Sequence, residues 1–371
     1  MSELNKTPLY ALHLELGGKM VPFAGFEMPV QYPMGVKKEH IHTREHAGLF
    51  DVSHMGQVKL TGANAAAELE KLVPVDIIDL PIGKQRYALF TNAHGGIMDD
   101  LMVTNYGDHL YVVVNAACKA QDIAHMQANL GEGVELEVLD NRALVALQGP
   151  EAAVALSRIC PEVNDMVFMD SRHITIDGVG CFVSRSGYTG EDGYEISIPA
   201  DQAERLCRLF IAQPEVEFIG LGARDSLRLE SGLCLYGHDL DPNTTPIEGS
   251  LIWAISKCRR ADGERAGGFP GADKIFDQIA NKNCTRQRVG LIAQGKAPIR
   301  EGAELLNADG VKIGEVTSGS FGPTVGVPIA MGYVASEYAA LETEVYALVR
   351  GKQLPMVVSK APFIEQRYYR G

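Results

Sequence analysis

The sequence predicts a multidomain α+β protein that ends in a small antiparallel β-barrel. Three observations lead there. Helical and strand patterns mix irregularly up to residue 257, without the steady strand–helix–strand rhythm of a parallel sheet. Residues 258–284 are polar and glycine-rich, with room for one short helix. Residues 287–363 are nearly all short strands between Gly and Pro turns, such as Arg288-Val289-Gly290-Leu291-Ile292 and Val345-Tyr346-Ala347-Leu348-Val349. A length of 371 residues suits two or three domains.

The elements follow in order. Thr7-Pro8 ahead of Leu9, Leu12 and Leu16 starts a helix with proline at its first position, and Gly17-Gly18 stops it. A second helix is expected from about Gly35 to Glu45. Leu49 to Met55 is strand-like and leads into Val58-Lys59-Leu60, and residues 63–73 read as a helix. Arg86 to Phe90, Ile97 to Thr104 and Leu110 to Asn115 form a meander, broken by turns at Asn92 to Gly96 and Tyr106 to Asp108. A helix at about 117–129 and further strands come next. Gly220 to Asp225 opens another helix, and a loop rich in Asp, Asn and Pro covers 239–246.

The totals exclude several classes. Hydrophobic residues at 46% and charged residues at 22% are ordinary for a soluble globular protein. A net charge of −13 argues against a general nucleic-acid binder, though not against an acidic ligand held by a few arginines. The seven cysteines contain no Cys-x-x-Cys pair, so reduced buried thiols are expected rather than a zinc site or a disulfide framework. No apolar run approaches the ~18 residues that span a bilayer. The first eight residues carry neither a signal-peptide core nor an Arg-rich presequence, so the expected compartment is the cytoplasm, or the mitochondrial matrix after removal of a presequence.

The most informative segment runs from Ser186 through Gly187, Gly190 and Gly193 to Glu195. Its glycines permit a tight corner, and the alternating Ile196-Ser197-Ile198 puts Glu195 at a strand entrance. A carboxylate fixed there can accept two parallel N–H bonds from a planar heterocycle bearing an amino group beside a ring N–H. Asp99 and Asp100 head a strand and point to opposite faces, so at most one of them faces a given pocket, and a solvated turn would account for both. His40, His42 and His46 lie on a helix crowded by Lys37, Lys38 and Arg44, which favours a solvated face over a metal site. His54 is expected to be a satisfied, partly buried histidine. Gly-x-Ser-x-Gly and Gly-x-Gly-x-x-Gly are both missing, which disfavours a serine hydrolase and a dinucleotide fold. Arg224 opposes its helix dipole, so it pairs with Asp225 or Glu230 or else aims at a ligand. The ending Arg367-Tyr368-Tyr369 is too aromatic for a frayed tail and is expected to pack.

In order along the chain, these segments resemble the aminomethyltransferase (T protein) family of the glycine cleavage system. The resemblance rests on Phe23 to Pro29, Phe50 to Met55, Gly95 to Leu101, Val113 to Ala116, Leu147 to Pro150, Gly187 to Glu195, Gly220 to Glu230, Gly314 to Gly319 and the tyrosine tail. Phe26 departs from the tryptophan common there, and Gly322 from a common serine. The family implies a three-part cloverleaf with tetrahydrofolate in a central channel and a barrel as its last domain. Mapped onto this chain, 1–262 would be the folate-binding region, with 51–140 forming most of one of its two intertwined subdomains, 263–284 a linker and 285–371 the barrel with its tail.

By that resemblance Asp100 is the catalytic carboxylate beside the reacting folate nitrogens, and Glu195 holds the amino-pterin edge. Met55, Tyr87, Asn115, Tyr188, Arg224 and Tyr368 would line the rest of the folate site. The implied donor is the aminomethyl-loaded lipoyl arm of the H protein, with no metal and no nucleotide required. A related sulfonium demethylase, or a folate-binding maintenance protein without transferase activity, are the alternative readings. For the carrier, the densest basic cluster is Lys257, Arg259, Arg260 and Arg265, expected to form a docking face.

Overall fold

Two sheets packed face to face form the body of the molecule, and each is assembled from distant pieces of chain. The computed structural model describes residues 3–371; Met1 and Ser2, part of the N-terminal segment read above, lie outside it. The predicted meander forms a five-stranded sheet, in the order Lys84–Thr91, Ile97–Asn105, Leu110–Val114, Gly56–Thr61, Glu135–Val138. The six-stranded sheet runs Ser171–Ile176, Val179–Ser184, Gly193–Pro199, Arg142–Gln148, Ala47–Asp51, Val216–Phe218. Ala47–Asp51 therefore crosses from the N-terminal part of the chain into a sheet otherwise drawn from residues 142–218. The segment from Leu49 to Met55 is strand only as far as Asp51, because a turn closed by Met55 N–H to Val52 O (3.0 Å) swings the chain into the other sheet.

Between the facing sheets sits an apolar cluster of Phe50, Val52, Tyr111, Val113, Leu144 and Ala146, capped by Ala223 and Leu227 of helix Leu221–Glu230. Each sheet buries its other face under helices. Helix Lys119–Asn129 covers the five-stranded sheet through Met126, and helix Ala203–Ile211 covers the six-stranded one through Leu206 and Phe210. A third, small sheet of Asn5–Lys6, Phe26–Gln31 and Lys19–Phe23 closes one end.

Six C-terminal strands form the expected closed barrel, in the order Arg286–Ala293, Pro328–Ala335, Lys312–Phe321, Glu304–Leu306, Glu344–Val349, Lys352–Ser359. Leu291, Val316, Ala330, Val345 and Met356 fill it. Before it, residues 258–284 carry helix Ala272–Asn281, as the glycine-rich composition suggested. All seven cysteines are free, and five are buried. No helix among the described residues is long and apolar enough to cross a membrane.

Buried charge fastens the barrel to the body. Glu230 is fully buried; one carboxylate oxygen accepts from the backbone N–H of Thr324 (2.7 Å) and Val325 (3.2 Å) of the barrel. The other accepts from Arg44 (3.1 Å) and His40 (3.0 Å) on helix Val36–Glu45. The helix keeps its expected solvated face at Lys37, Lys38 and His46, but His40 and Arg44 are buried because their partners arrive from distant parts of the chain. The tail returns across the same seam. Phe363 N–H donates to Glu230 O (2.8 Å), Arg367 N–H to Gly190 O (2.7 Å), and the Tyr368 ring stacks 4.2 Å from Phe168.

Candidate active site

Strand alternation decides what Asp99 and Asp100 see. Asp99 shares its face with Leu101 and Val103 and is fully buried in the core beneath helix Lys119–Asn129. Asp100 takes the opposite face, the one turned toward the six-stranded sheet, and stays partly accessible. A solvated turn is thereby ruled out for Asp99. The two faces nevertheless meet at the strand end. Asn115, just past strand Leu110–Val114, uses one amide nitrogen to reach Asp99 Oδ1 (2.9 Å), Asp100 Oδ1 (2.6 Å) and Asp100 O (3.1 Å).

The second oxygen of Asp100 is held as firmly. Tyr87 pairs in register with Met102, which makes it a diagonal neighbour of Asp100 on the same face, and its hydroxyl donates to Asp100 Oδ2 at 2.9 Å. Burial, and after it the nearby Asp99 carboxylate, push the Asp100 carboxyl up to about 7, against the pull of the Tyr87 and Asn115 hydrogen bonds. A carboxyl poised there exchanges a proton readily at neutral pH.

Across the slot, the glycine corner delivers Glu195. A Cβ on Gly187 would lie 1.7 Å from Gln148 Oε1, and Gly190 has φ of +80°, so both positions require glycine. Arg44 locks the corner by donating to Thr189 O (2.6 Å) and Glu191 Oε1 (2.9 Å). Glu195 is the third residue of strand Gly193–Pro199, and its carboxyl is raised by burial, with Arg224 and a hydrogen bond from Ser186 opposing. Glu195 also borders a small gap of about 10 Å³, room for about one water, with Ser184, Ser197, Tyr111, Gln85 and Thr104. Within it, Gln85 Oε1 and Thr104 Oγ1 are buried without hydrogen-bond partners.

Arg224 pairs with neither acid proposed for it: Asp225 is taken by Arg228 (2.7 Å) and Glu230 by Arg44 and His40. Its guanidinium sits 4.7 Å over the Tyr188 ring, and Nη1 is buried and unpartnered. Tyr188 is anchored through its hydroxyl to Cys234 O. Met55 packs at the edge of the inter-sheet cluster. His54 is buried with Nδ1 unpaired, so it is not the satisfied histidine expected, and burial pulls its pKa down to about 4, with Asp51 opposing.

Asp100, Tyr87, Asn115, Tyr188, Arg224 and Glu195 are thus gathered around one slot. Tyr368 stacks on Phe168. Trp253 joins the slot residues without having been anticipated: its ring lies 5.1 Å from that of Tyr87, and it is 62% exposed at the rim. Its one sequence signal is that it is the chain's sole tryptophan.

The basic cluster needs correcting. Arg259 is buried and donates to Glu70 Oε1 (2.9 Å) and Glu70 O (3.0 Å). Arg265 binds Glu70 (2.9 Å), Asp76 (2.7 Å) and Asp79 (2.8 Å), and Arg260 donates to the Ile255 (3.0 Å) and Ile252 (2.9 Å) carbonyls. Arg259 and Arg265 are thus neutralised in an internal clamp, and only Lys257 and part of Arg260 are left to face a partner. No group of His, Cys, Asp or Glu suited to a metal occurs among the described residues.

Comparison with known proteins places this architecture. The family description "GCVT N-terminal domain" matches residues 9–259, and "Glycine cleavage T-protein C-terminal barrel domain" matches residues 286–365. The mitochondrial aminomethyltransferase of Homo sapiens is 50% identical over 375 residues, covering 99% of this chain and 91% of that protein. That of Dictyostelium discoideum is 47% identical over 384 residues, covering 99% and 94%. The crystal structure of the glycine cleavage system aminomethyltransferase T from Bartonella henselae superposes with a TM-score of 0.93 at 43% identity, covering 99% of this chain and all of that one. The chain belongs to the aminomethyltransferase (T protein) family of the glycine cleavage system and is an enzyme of that class.

Proposed function

We propose that the slot between the sheets holds tetrahydrofolate and that Asp100 is the catalytic carboxylate of an aminomethyl transfer. In this reading Glu195 accepts the amino and ring N–H groups of the pterin, with Arg224 beside it. Arg224 supplies an unspent guanidinium N–H, and Tyr188 and Trp253 supply aromatic walls.

The donor is the aminomethyl group on the dihydrolipoyl arm of the H protein. One C–S and one C–N bond of the donor break, and two C–N bonds to the folate amines form. The two amine protons end on the freed thiol and on ammonia, and the products are 5,10-methylenetetrahydrofolate and the dihydrolipoyl arm. Asp100 takes and returns those protons and stabilises iminium-like positive charge at the moving carbon. Most of the remaining acceleration comes from holding the amine against the electrophilic carbon. Exposed Ile252 and Trp253, beside Tyr87, offer the arm an apolar entrance, with Lys257 close by in sequence. The "mitochondrial" in the relatives' names favours the matrix over the cytoplasm as the working compartment.

The observation that carries this reading is the Asp100 carboxyl, with one oxygen bound by Asn115 and the other by Tyr87, and its pKa raised to about 7. The test is ammonia release from aminomethylated H protein, with and without tetrahydrofolate. Release that depends on both partners is expected. Methyl transfer from a sulfonium donor, with no release from H protein, would replace this reading with the demethylase one.

A further inference from the structure

Below Asp100, on the other face of its strand, lies an acid that the proposed chemistry does not use. Asp122, on helix Lys119–Asn129, is fully buried, and neither of its oxygens has a hydrogen-bond donor in bonding geometry. Its carboxyl meets the carboxyl of Asp99. Gln121 lies alongside but turns its amide to Met98 O (3.4 Å), and Lys119 reaches away to Asp140. Asp99 is better supplied, accepting from Asn115 N–H at 3.1 Å and from the Asn115 amide at 2.9 Å.

Two ionised carboxylates pressed together in a dry core repel strongly, and their contact becomes favourable once one proton is shared between them. The two N–H bonds into Asp99 favour its anion, while Asp122 has only the neighbouring Gln121 amide to favour its own, with no hydrogen bond in good geometry. The proton therefore belongs to Asp122.

We propose that Asp122 is a positioning residue of the active site: a buried carboxylic acid that donates its O–H to Asp99, so that Asp99 can hold the Asn115 amide toward Asp100. Asn115 has two amide hydrogens, and the Asp99 bond turns the second toward Asp100 Oδ1. A neutral Asp122 also keeps a further negative charge away from the catalytic carboxyl. Burial, then the hydrogen bond and charge of Asp99, push the Asp122 carboxyl up to about 10, in keeping with that assignment. The other groups facing the pair are the Cys118 thiol from the turn before the helix, the Tyr236 hydroxyl from the loop after Glu230, and Asp100 itself. None of these carries positive charge.

The role of Asp122 in turnover rests on the proposed function, but its protonation does not, and the experiment separates them. Infrared difference spectra of the full chain at pH 7, wild type against Asp122→Asn, should show the loss of a protonated carboxylic-acid carbonyl band. No such band would mean that Asp122 is ionised and would overturn the proposal whatever the enzyme's substrate. In the folate-dependent assay, Asp122→Asn keeps a neutral donor and should leave the acid limb of kcat within about 0.3 pH unit of wild type. A limb displaced downward by about one unit or more would show that Asp122 had carried a charge. Asp122→Leu removes the donor and should lower kcat by about tenfold or more at similar KM. If it folds and turns over like wild type, Asp122 positions nothing.

Discussion

The Tyr87 hydroxyl donates to Asp100 Oδ2 at 2.9 Å while the Tyr87 ring packs, tilted, 5.1 Å from that of Trp253. One side chain therefore ties the charge of the half-buried Asp100 carboxyl to the aromatic rim of the slot. Because the hydrogen bond favours the ionised form of Asp100, Tyr87→Phe should raise the apparent pKa of Asp100 above about 7. A hydrogen bond to a charged group contributes about 1.5 kcal/mol or slightly more, which moves the acid limb of kcat upward by roughly one unit. A pH–rate profile checks this; a limb in its original place would show that Asp100 titration does not govern turnover.

Asp100→Asn keeps the size of the side chain and an oxygen for Asn115 but loses the proton exchange. Turnover should fall by about 10²–10⁴. Thermal melting should stay close to wild type, since the variant removes a carboxyl whose burial costs the fold. Near-normal kcat in the well-folded variant would transfer the proton role elsewhere.

Glu195→Gln keeps the cavity filled and removes the charge opposite Arg224. Tetrahydrofolate affinity should weaken by about 1.5–3 kcal/mol, the difference between a charge-assisted pair and a neutral one, while saturated turnover changes less. Calorimetry with the folate alone reads this without the carrier protein. An unaltered Kd would remove Glu195 from the pterin end.

Glu230 should govern acid stability. Its carboxyl is lowered from 4.5 to about 2, with its hydrogen bond to His40 the largest favourable cause against burial. A depressed folded-state pKa contributes stability that is complete above the unfolded value and is lost as pH falls toward about 2. The shift corresponds to roughly 3 kcal/mol at neutral pH. Glu230→Gln should therefore lower Tm clearly at pH 7, and the gap to wild type should narrow between pH 5 and pH 3. A gap that stays constant with pH would deny the linkage.

Local signals were legible in the sequence and distant ones were not. The barrel and the Glu195 corner follow from short-range alternation and glycine spacing, so strand Gly193–Pro199 and the closed C-terminal sheet lie where the pattern puts them. The choice between Asp99 and Asp100 was not legible from pattern, because their strand is covered on both faces and only the tertiary layout separates core from slot. Arg259 and Arg265 look like a basic patch because Glu70, Asp76 and Asp79, which neutralise them, lie far upstream. His40 misled for the same reason, its partner Glu230 being 190 positions away.

The return of the tail across the seam changes what the covalent linker is for. Phe363, Arg367 and Tyr368 are fastened to Glu230, Gly190 and Phe168, all in the body of the molecule rather than in the barrel. A force drawing the barrel outward would load this non-covalent strap together with the peptide through residues 258–284. A backbone cut in that peptide would still leave two fragments buckled together. The enzyme is in this sense stitched twice, and the second stitch passes through Gly190, in the same glycine corner that carries Glu195.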